Sequence, residues 1–281
     1  MTEANGNSKN KFHGIWALTN RELKKWYKAP AVFFLTLIQP VIWLGLLGNA
    51  LNLGSLIPSN IPGINPNDIL KMTFGTSSYI SFMAVGMMAF TALFTTMFSG
   101  MSVVWDRRLG FLNKVLSTPV SRAVIILSKV FSAALRSMFQ AGIILLIAIP
   151  LGFQVGLAFT ILSILGVFAF LFLICVGLSS LFIAINIRST RIETPMAVMN
   201  LLNLPLTFAS SAFFPIDRMP GWLQAVANIN PLSYTINGMR QLLINDSINY
   251  SDLVFQYAYV GIFAAVLTTI GIILSWRYLN K

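Results

Sequence analysis

Side chains able to carry covalent chemistry are scarce in this sequence. It holds one histidine, His13, and one cysteine, Cys175, among 281 residues, so a zinc site built from several His and Cys ligands cannot be assembled within it. Cys175 lies in an apolar run, has no partner for an internal disulfide and says nothing of redox compartment. No Asp or Glu falls in the middle of a long apolar run, and Glu193 stands only at the mouth of one. That argues against an intramembrane aspartyl enzyme and against a proton-coupled transporter, both of which rely on buried ionisable groups. The pattern G-x-x-x-x-G-K-[ST] does not occur, so the chain has no P-loop of its own. No catalytic residue, metal ligand or cofactor is expected here, and any ATP and magnesium would be bound by a partner.

Four polar patterns remain as candidates for non-covalent work. In FHGIWALTNRELKKWYKAP, Ile15, Trp16, Thr19, Leu23, Trp26 and Tyr27 recur at helical spacing while Arg21, Lys24, Lys25 and Lys28 take another face. This predicts an interfacial helix, with Thr19 and Glu22 as a capping box that restarts it. A lipid-surface anchor and a dock for a cytoplasmic partner both fit, and the two are compatible. In WDRRLGFLNKVLSTPVSR, Leu109, Leu112, Val115 and Leu116 form an apolar stripe, Gly110 allows close backbone approach, and Ser117-Thr118-Pro119 stops the helix. A short amphipathic helix in a loop suits a partner's groove, while a basic loop that merely follows the positive-inside rule is the plainer alternative. Asn200, Asn203, Thr207 and Ser210 share one helical face, with a similar set in Thr91, Thr95 and Ser99 beside Met87, Met88, Met97 and Met101. Asparagines facing acyl chains are costly, so the first stripe meets protein, by interhelical hydrogen bonds, or a translocation path. Arg122, Lys129 and Arg136 repeat at seven-residue spacing, which suits a helix projecting into the cytoplasm with Arg136 snorkelling to the interface, or head-group binding. Asp217, Arg218 and Arg240 could pair with one another or gate release.

The elements that must carry these residues follow from composition. Hydrophobic residues make up 56% of the chain and charged ones 10%, against about 25% charged in soluble domains. That excludes a soluble globular enzyme and predicts an all-α integral membrane protein. Apolar runs place six spans at about 31–50, 79–104, 123–153, 157–187, 195–213 and 253–276, after a cytoplasmic segment of residues 1–30. The first span, which begins near Ala31 with no cleavage pattern after it, reads as an uncleaved anchor. Pro40 and Pro205 are expected to bend the first and fifth spans. Fifteen of the 19 Lys and Arg fall on one side of this arrangement and three, Lys71, Arg218 and Arg240, on the other. Both termini are therefore expected in the cytoplasm. The net charge of +11, which in a soluble chain would suggest nucleic acid, here points to anionic membrane lipids instead. Residues 52–77 read as an outer loop. Between the last two spans, prolines at 220 and 231 predict short amphipathic helices at about 220–229 and 232–245, in or re-entering the outer interface.

Two of these segments carry a resemblance. WDRRLGFLNKVLSTPVSR with Lys129 in the next helix looks like the loop after the second span of type-2 ABC exporter permeases, especially the daunorubicin-resistance type, and FFPIDRMPGWLQAVANINPLSYTINGMRQLL resembles their stretch between spans five and six. The likeness covers about residues 12–281. It implies a permease domain over residues 31–281, pairing as a homo- or heterodimer, an ABC ATP-binding subunit as partner, and export of an amphipathic drug, lipid or lipid-linked saccharide across the plasma membrane. By the same resemblance Asp106, Arg107, Arg108, Gly110, Phe111, Leu112, Lys114 and Pro119 belong to the ATPase-coupling loop and Arg21, Glu22 and Lys25 to the connecting helix. Thr91, Thr95, Asn200, Asn203, Thr207 and Ser210 would then line the export path or the dimer face. The sequence departs from the family where Asn113-Lys114 replaces the acidic residue often found mid-loop, which leaves Asp106 as the only carboxylate there. An ATP-independent transporter or channel, and a membrane scaffold, are the competing readings; the first is weakened by the scarcity of coupling-ion residues in the spans.

Overall fold

A computed structural model describes residues 3–50, 66–118, 121–189 and 191–279. Among them are eleven α-helices, one 3-10 turn and no strand. In chain order the helices are α1 (Glu3–Tyr27), α2 (Pro30–Ala50), α3 (Pro66–Phe74), α4 (Tyr79–Arg108), α5 (Phe111–Leu116) and α6 (Arg122–Ala148). They continue with α7 (Ile161–Asn186), α8 (Glu193–Phe208), the 3-10 turn Ile216–Arg218, α9 (Gly221–Ala227), α10 (Pro231–Leu243) and α11 (Tyr250–Leu279).

Four stretches, built on α4, α6, α7 and α11, are long and apolar enough to cross a membrane. At 1.5 Å per residue these helices measure about 39 to 45 Å, against a hydrocarbon core of about 30 Å. The expected first and fifth spans are shorter. α2 has 21 residues, and its apolar part is Thr36–Leu46; α8 has 16 residues, about 24 Å. Both helices run on through their prolines, Pro40 and Pro205.

α7 stands at the centre, packed on α4, α6, α10 and α11, and α4 is buried along nearly its whole length. Glycine makes that density possible. A Cβ at Gly100 would lie 2.6 Å from Phe182 Cβ and 2.8 Å from its carbonyl carbon, so α4 and α7 meet there with no room for a side chain. The core is filled by large side chains such as Met83, Met87, Leu93, Phe170 and Phe182. Phe170 stacks on Tyr257 at 3.7 Å between ring centroids, and the Tyr257 hydroxyl donates to Gly166 O.

The expectation of a loop over 52–77 is corrected in its second half. Pro66–Phe74 is helical, with Pro66 opening the helix, Asp68 in its first turn and Lys71 in its last, which suits the helix dipole. Its Phe74 ring packs against Tyr79 and Phe82 at 5.2 and 5.0 Å. The first part of that expectation, 52–65, lies outside the described residues. The two short helices expected around 220–229 and 232–245 are found as α9 and α10; Asn230 caps α10 by accepting from Leu232 N.

Candidate functional site

At the end of the bundle where α1, α4, α5 and α6 meet, five charged side chains form one network. Asp106, in the last turn of α4, accepts from Lys129 Nζ at 2.6 Å and from Lys25 Nζ at 2.8 Å, with Arg21 at 3.4 Å. Glu22 accepts from Arg21 at 2.8 Å and lies 3.4 Å from both Lys25 and Lys129. Lys129 also donates to Ser102 Oγ at 2.9 Å. The side chains of Asp106, Lys129 and Glu22 are only 3%, 4% and 7% exposed, whereas Lys25 is 44% exposed. Three cations face two carboxylates, and each buried charge has an opposite charge in reach, as burial requires.

This network overturns two expectations from the sequence. Thr19 and Glu22 form no capping box, because α1 runs unbroken from Glu3 to Tyr27. Thr19 instead donates to Ser128 O of α6 at 3.3 Å, and Glu22 turns to Lys129 and Arg21. Lys129, expected on the basic face of a helix projecting into the cytoplasm, is instead the buried partner of Asp106. Arg136, one repeat further into α6, donates from Nε to Ser132 O. The seven-residue spacing flagged Lys129, but its carboxylate partners lie 23 and 107 residues away in sequence.

α5 sits directly on the network. The Arg21 guanidinium lies 3.2 Å from the centre of the Phe111 ring and Lys25 Nζ 5.6 Å from it, cation–π contacts that tie the start of α5 to α1. Leu112 and Val115 point inward, among Val103, Ile125, Ile126, Val130 and Ile183. The apolar stripe thus finds its groove in its own chain. What α5 and its approach leave outward is Leu109, 75% exposed, with Arg108, Asn113 and Lys114 also exposed; Arg107 is half-buried. Among the described residues nothing lies within 4 Å of where a Cβ on Gly110 would stand, so within this chain no neighbour crowds it. It adopts φ +69° between α4 and α5, a left-handed turn that favours glycine. Pro119 lies outside the described residues.

The polar sets on α4 and α8 divide. Thr95 donates to Gln140 Oε1 at 2.6 Å, and Gln140 donates to Thr36 Oγ1 at 2.8 Å, an interhelical chain through α4, α6 and α2. Thr91 is buried and bonds back to Met87 O. Both therefore face into the protomer. On α8 Thr207 donates to Asn203 Oδ1, and just beyond the helix Ser210 donates to Thr207 O; both Thr207 and Ser210 are buried. Asn200 and Asn203 open into a groove of about 210 Å³ between α4 and α8, with Met97, Phe98, Met101 and Met199 among its other walls. The two asparagines join Met97 and Met101 of α4 there, while Met87, Met88 and the threonines of α4 do not. Among the described helices α8 packs chiefly on α4, leaving Met196, Leu201 and Leu204 exposed.

At the opposite end, Asp217 and Arg218 are exposed on the 3-10 turn, and Arg240 does not pair with them. Arg240 is buried: Nη2 donates to Phe82 O of α4 at 3.1 Å and to Ala212 O at 3.3 Å, and the guanidinium lies 3.4 Å from the centre of the Phe82 ring. It pins α10, α4 and the turn after α8 together. No grouping of His, Cys, Asp and Glu suited to a metal occurs among the described residues.

A helical bundle with four span-length apolar helices, a charged network at one end and a methionine-walled groove along its side has the architecture of a membrane protein. Residues 13–244 match the ABC-2 type transporter family, and the chain belongs to it. The transport permease ycf38 of Cyanophora paradoxa is 31% identical over 250 residues, covering 88% of this chain and 80% of that protein. The daunorubicin resistance ABC transporter permease protein DrrB1 of Streptomyces coeruleorubidus is 23% identical over 168 residues, 60% of this chain and 59% of that one. Nodulation protein J of Rhizobium meliloti is 24% identical over 240 residues, 84% of each chain. The resemblance read from residues 105–122 and 213–243 is borne out, and the chain is a multi-pass membrane transport permease.

Proposed function

We propose that this permease is the membrane subunit of an ATP-driven exporter, six-spanning, with both termini in the cytoplasm of a cell bounded by the membrane it occupies. α2 and α8 complete the span count, and residues 1–30 form a cytoplasmic segment ahead of the permease domain of residues 31–281. A separate ABC subunit binds ATP and magnesium and docks on the outward side of α5, at Arg107, Arg108, Leu109 and Lys114. α1 is the connecting helix, and a second protomer, identical or related, pairs across the α4 and α8 face. Asn200 and Asn203 in the groove meet an amphipathic cargo, a drug, lipid or lipid-linked molecule passing from the inner side outward.

The observation that supports this reading is the network of Asp106, Glu22, Lys129, Arg21 and Lys25. It joins α1, the end of α4 and, through Phe111, the start of α5 into one block. A push on the exposed side of α5 is then delivered to α4 as a rigid-body movement rather than absorbed by a loose loop. Closure of two ATPases around nucleotide would bias the bundle between two arrangements in this way.

The test is co-purification of the tagged chain with ATP-binding subunits from its own cells, followed by ATPase and export assays on wild type and on Leu109→Asp and Lys114→Glu. Both substitutions are at exposed positions and should leave the permease folded in membranes. Loss or uncoupling of the associated ATPase is the expected result. Absence of any nucleotide-hydrolysing partner with the permease intact would overturn the reading.

A further inference from the structure

α1 carries more cations than the network uses. Lys24 and Lys28 take part in none of the ion pairs among the described residues, and both are exposed. With Arg21 and Lys25 they line an open groove of about 330 Å³ along one face of α1, whose other walls among the described residues are Ala17 and Asn20. Among the described residues its lining includes no acidic side chain. The carboxylates nearest to it, Glu22 and Asp106, are buried beneath and already face three cations. The groove therefore keeps a surplus of positive charge on its open side.

Its depth is set by the chain itself. Lys28 precedes by two residues the start of the apolar helix α2 at Pro30. Beside it Tyr27 is exposed, and Trp26 packs edge-on against Phe33 of α2 at 5.0 Å and Phe139 of α6 at 5.8 Å. Tyr and Trp at such a junction mark the level of lipid head groups, and ammonium groups there meet phosphate oxygens as charge-assisted donors.

We propose that this groove is a binding site for the phosphate of an anionic phospholipid, held by Lys24 and Lys28 with Arg21, Lys25 and Asn20. The proposal rests on the reading that this end of the bundle faces the inner leaflet, and it adds a regulatory contact to that reading. Two of the groove's cations also donate to the buried network beside Lys129: Lys25 to Asp106 at 2.8 Å, and Arg21 to Glu22 at 2.8 Å, with its guanidinium over Phe111. A phosphate seated in the groove competes with those carboxylates for the same N–H groups, so the charge of the leaflet acts on the block that carries α5. A free phosphate has the same chemistry as a head group, so the experiment separates the two.

The permease alone is purified in detergent with mixed phosphatidylglycerol and phosphatidylcholine, and the retained lipids are counted by native mass spectrometry. The variants are Lys24→Gln, Lys28→Gln, their double, and Arg191→Gln, an exposed cation outside the groove. Wild type and Arg191→Gln should retain phosphatidylglycerol over phosphatidylcholine, each lysine removed should weaken that retention about fivefold, and inorganic phosphate at matched ionic strength should leave it unchanged. Equal retention of the two lipids, a double variant that behaves as wild type, or displacement by inorganic phosphate would each overturn the proposal. No ATPase is present, so failure here leaves ATP coupling untouched, and absence of an ATPase partner leaves this result standing.

Discussion

Lys129 and Asp106 are charges that the fold hides, and the energetics of hidden charges are asymmetric. Removing one member of a buried pair leaves the other uncompensated at a cost of about 3–5 kcal/mol, whereas replacing both with apolar groups of similar size is often close to neutral. Asp106→Leu should therefore lower the thermal midpoint of the purified permease strongly, and the double variant Asp106→Leu with Lys129→Met should recover much of the loss. A thermal-melt double-mutant cycle in one detergent measures this; additive effects would mean that the pair is not coupled. Lys25, with 44% of its side chain exposed, adds less because solvent screens it, and Lys25→Ala should shift the midpoint little. Arg240 belongs to the same class of residue. It makes two bonds to carbonyls of different elements, and charged hydrogen bonds are worth about 1.5–3 kcal/mol each at most. Arg240→Met should lower the midpoint and raise proteolysis in residues 209–231 first, as seen by limited digestion.

At the scale of helices, glycines show where elements touch. Gly100→Ala would put a methyl group 2.6 Å from Phe182 Cβ with backbone behind it, so α4 and α7 must separate, at about 1–3 kcal/mol for overpacking. Gly142→Ala in α6 meets nothing within 4 Å and should stabilise the helix by a few tenths of a kcal/mol up to about 1. The same melt assay should move in opposite directions for the two. α5 illustrates how an element can be foreseen while its orientation is not. Its apolar spacing was legible in Leu112, Val115 and Leu116, but the same stripe serves equally for a partner's groove or for one within the chain. The choice was made by Val103, Ile125, Ile126 and Ile183, which come from three other helices. Leu109, outside that set, stays exposed.

For the whole molecule, the proposed topology makes a labelling prediction that the chain is well suited to test. Its one cysteine, Cys175, is buried in α7, so single cysteines introduced elsewhere report without background. Lys114→Cys and Arg191→Cys should react only with reagent supplied from the cytoplasm, and Lys71→Cys and Asp246→Cys only from outside. Lys71 and Asp246 lie 3.5 Å apart as an exposed ion pair, so those two must share a side in any topology. Labelling of Lys114→Cys and Lys71→Cys from one side would exclude the arrangement. Asn200→Leu with Asn203→Leu should keep the permease assembled but reduce export, measured as substrate efflux from vesicles, if the groove meets cargo.

Composition and run length were enough to determine an apolar, helical, membrane-embedded chain with basic ends, because twenty apolar residues in a row have few other fates in water. The short helices after Pro220 and Pro231 were equally readable, since proline sets the local backbone wherever the rest of the chain lies. The nearest-neighbour chemistry was not. Glu22 reads as a capping residue when only Thr19 is considered, and as one corner of a buried network once α6 brings Lys129 to it. Thr95 and Asn200 read as one kind of polar stripe, yet Thr95 is consumed by Gln140 inside the protomer and Asn200 is left open. Such pairings join residues tens of positions apart, where the sequence holds no local signal of which helical face turns toward which. Only packing decides that, through the glycines that let backbones approach and the cost of leaving a charge unpaired where water cannot follow.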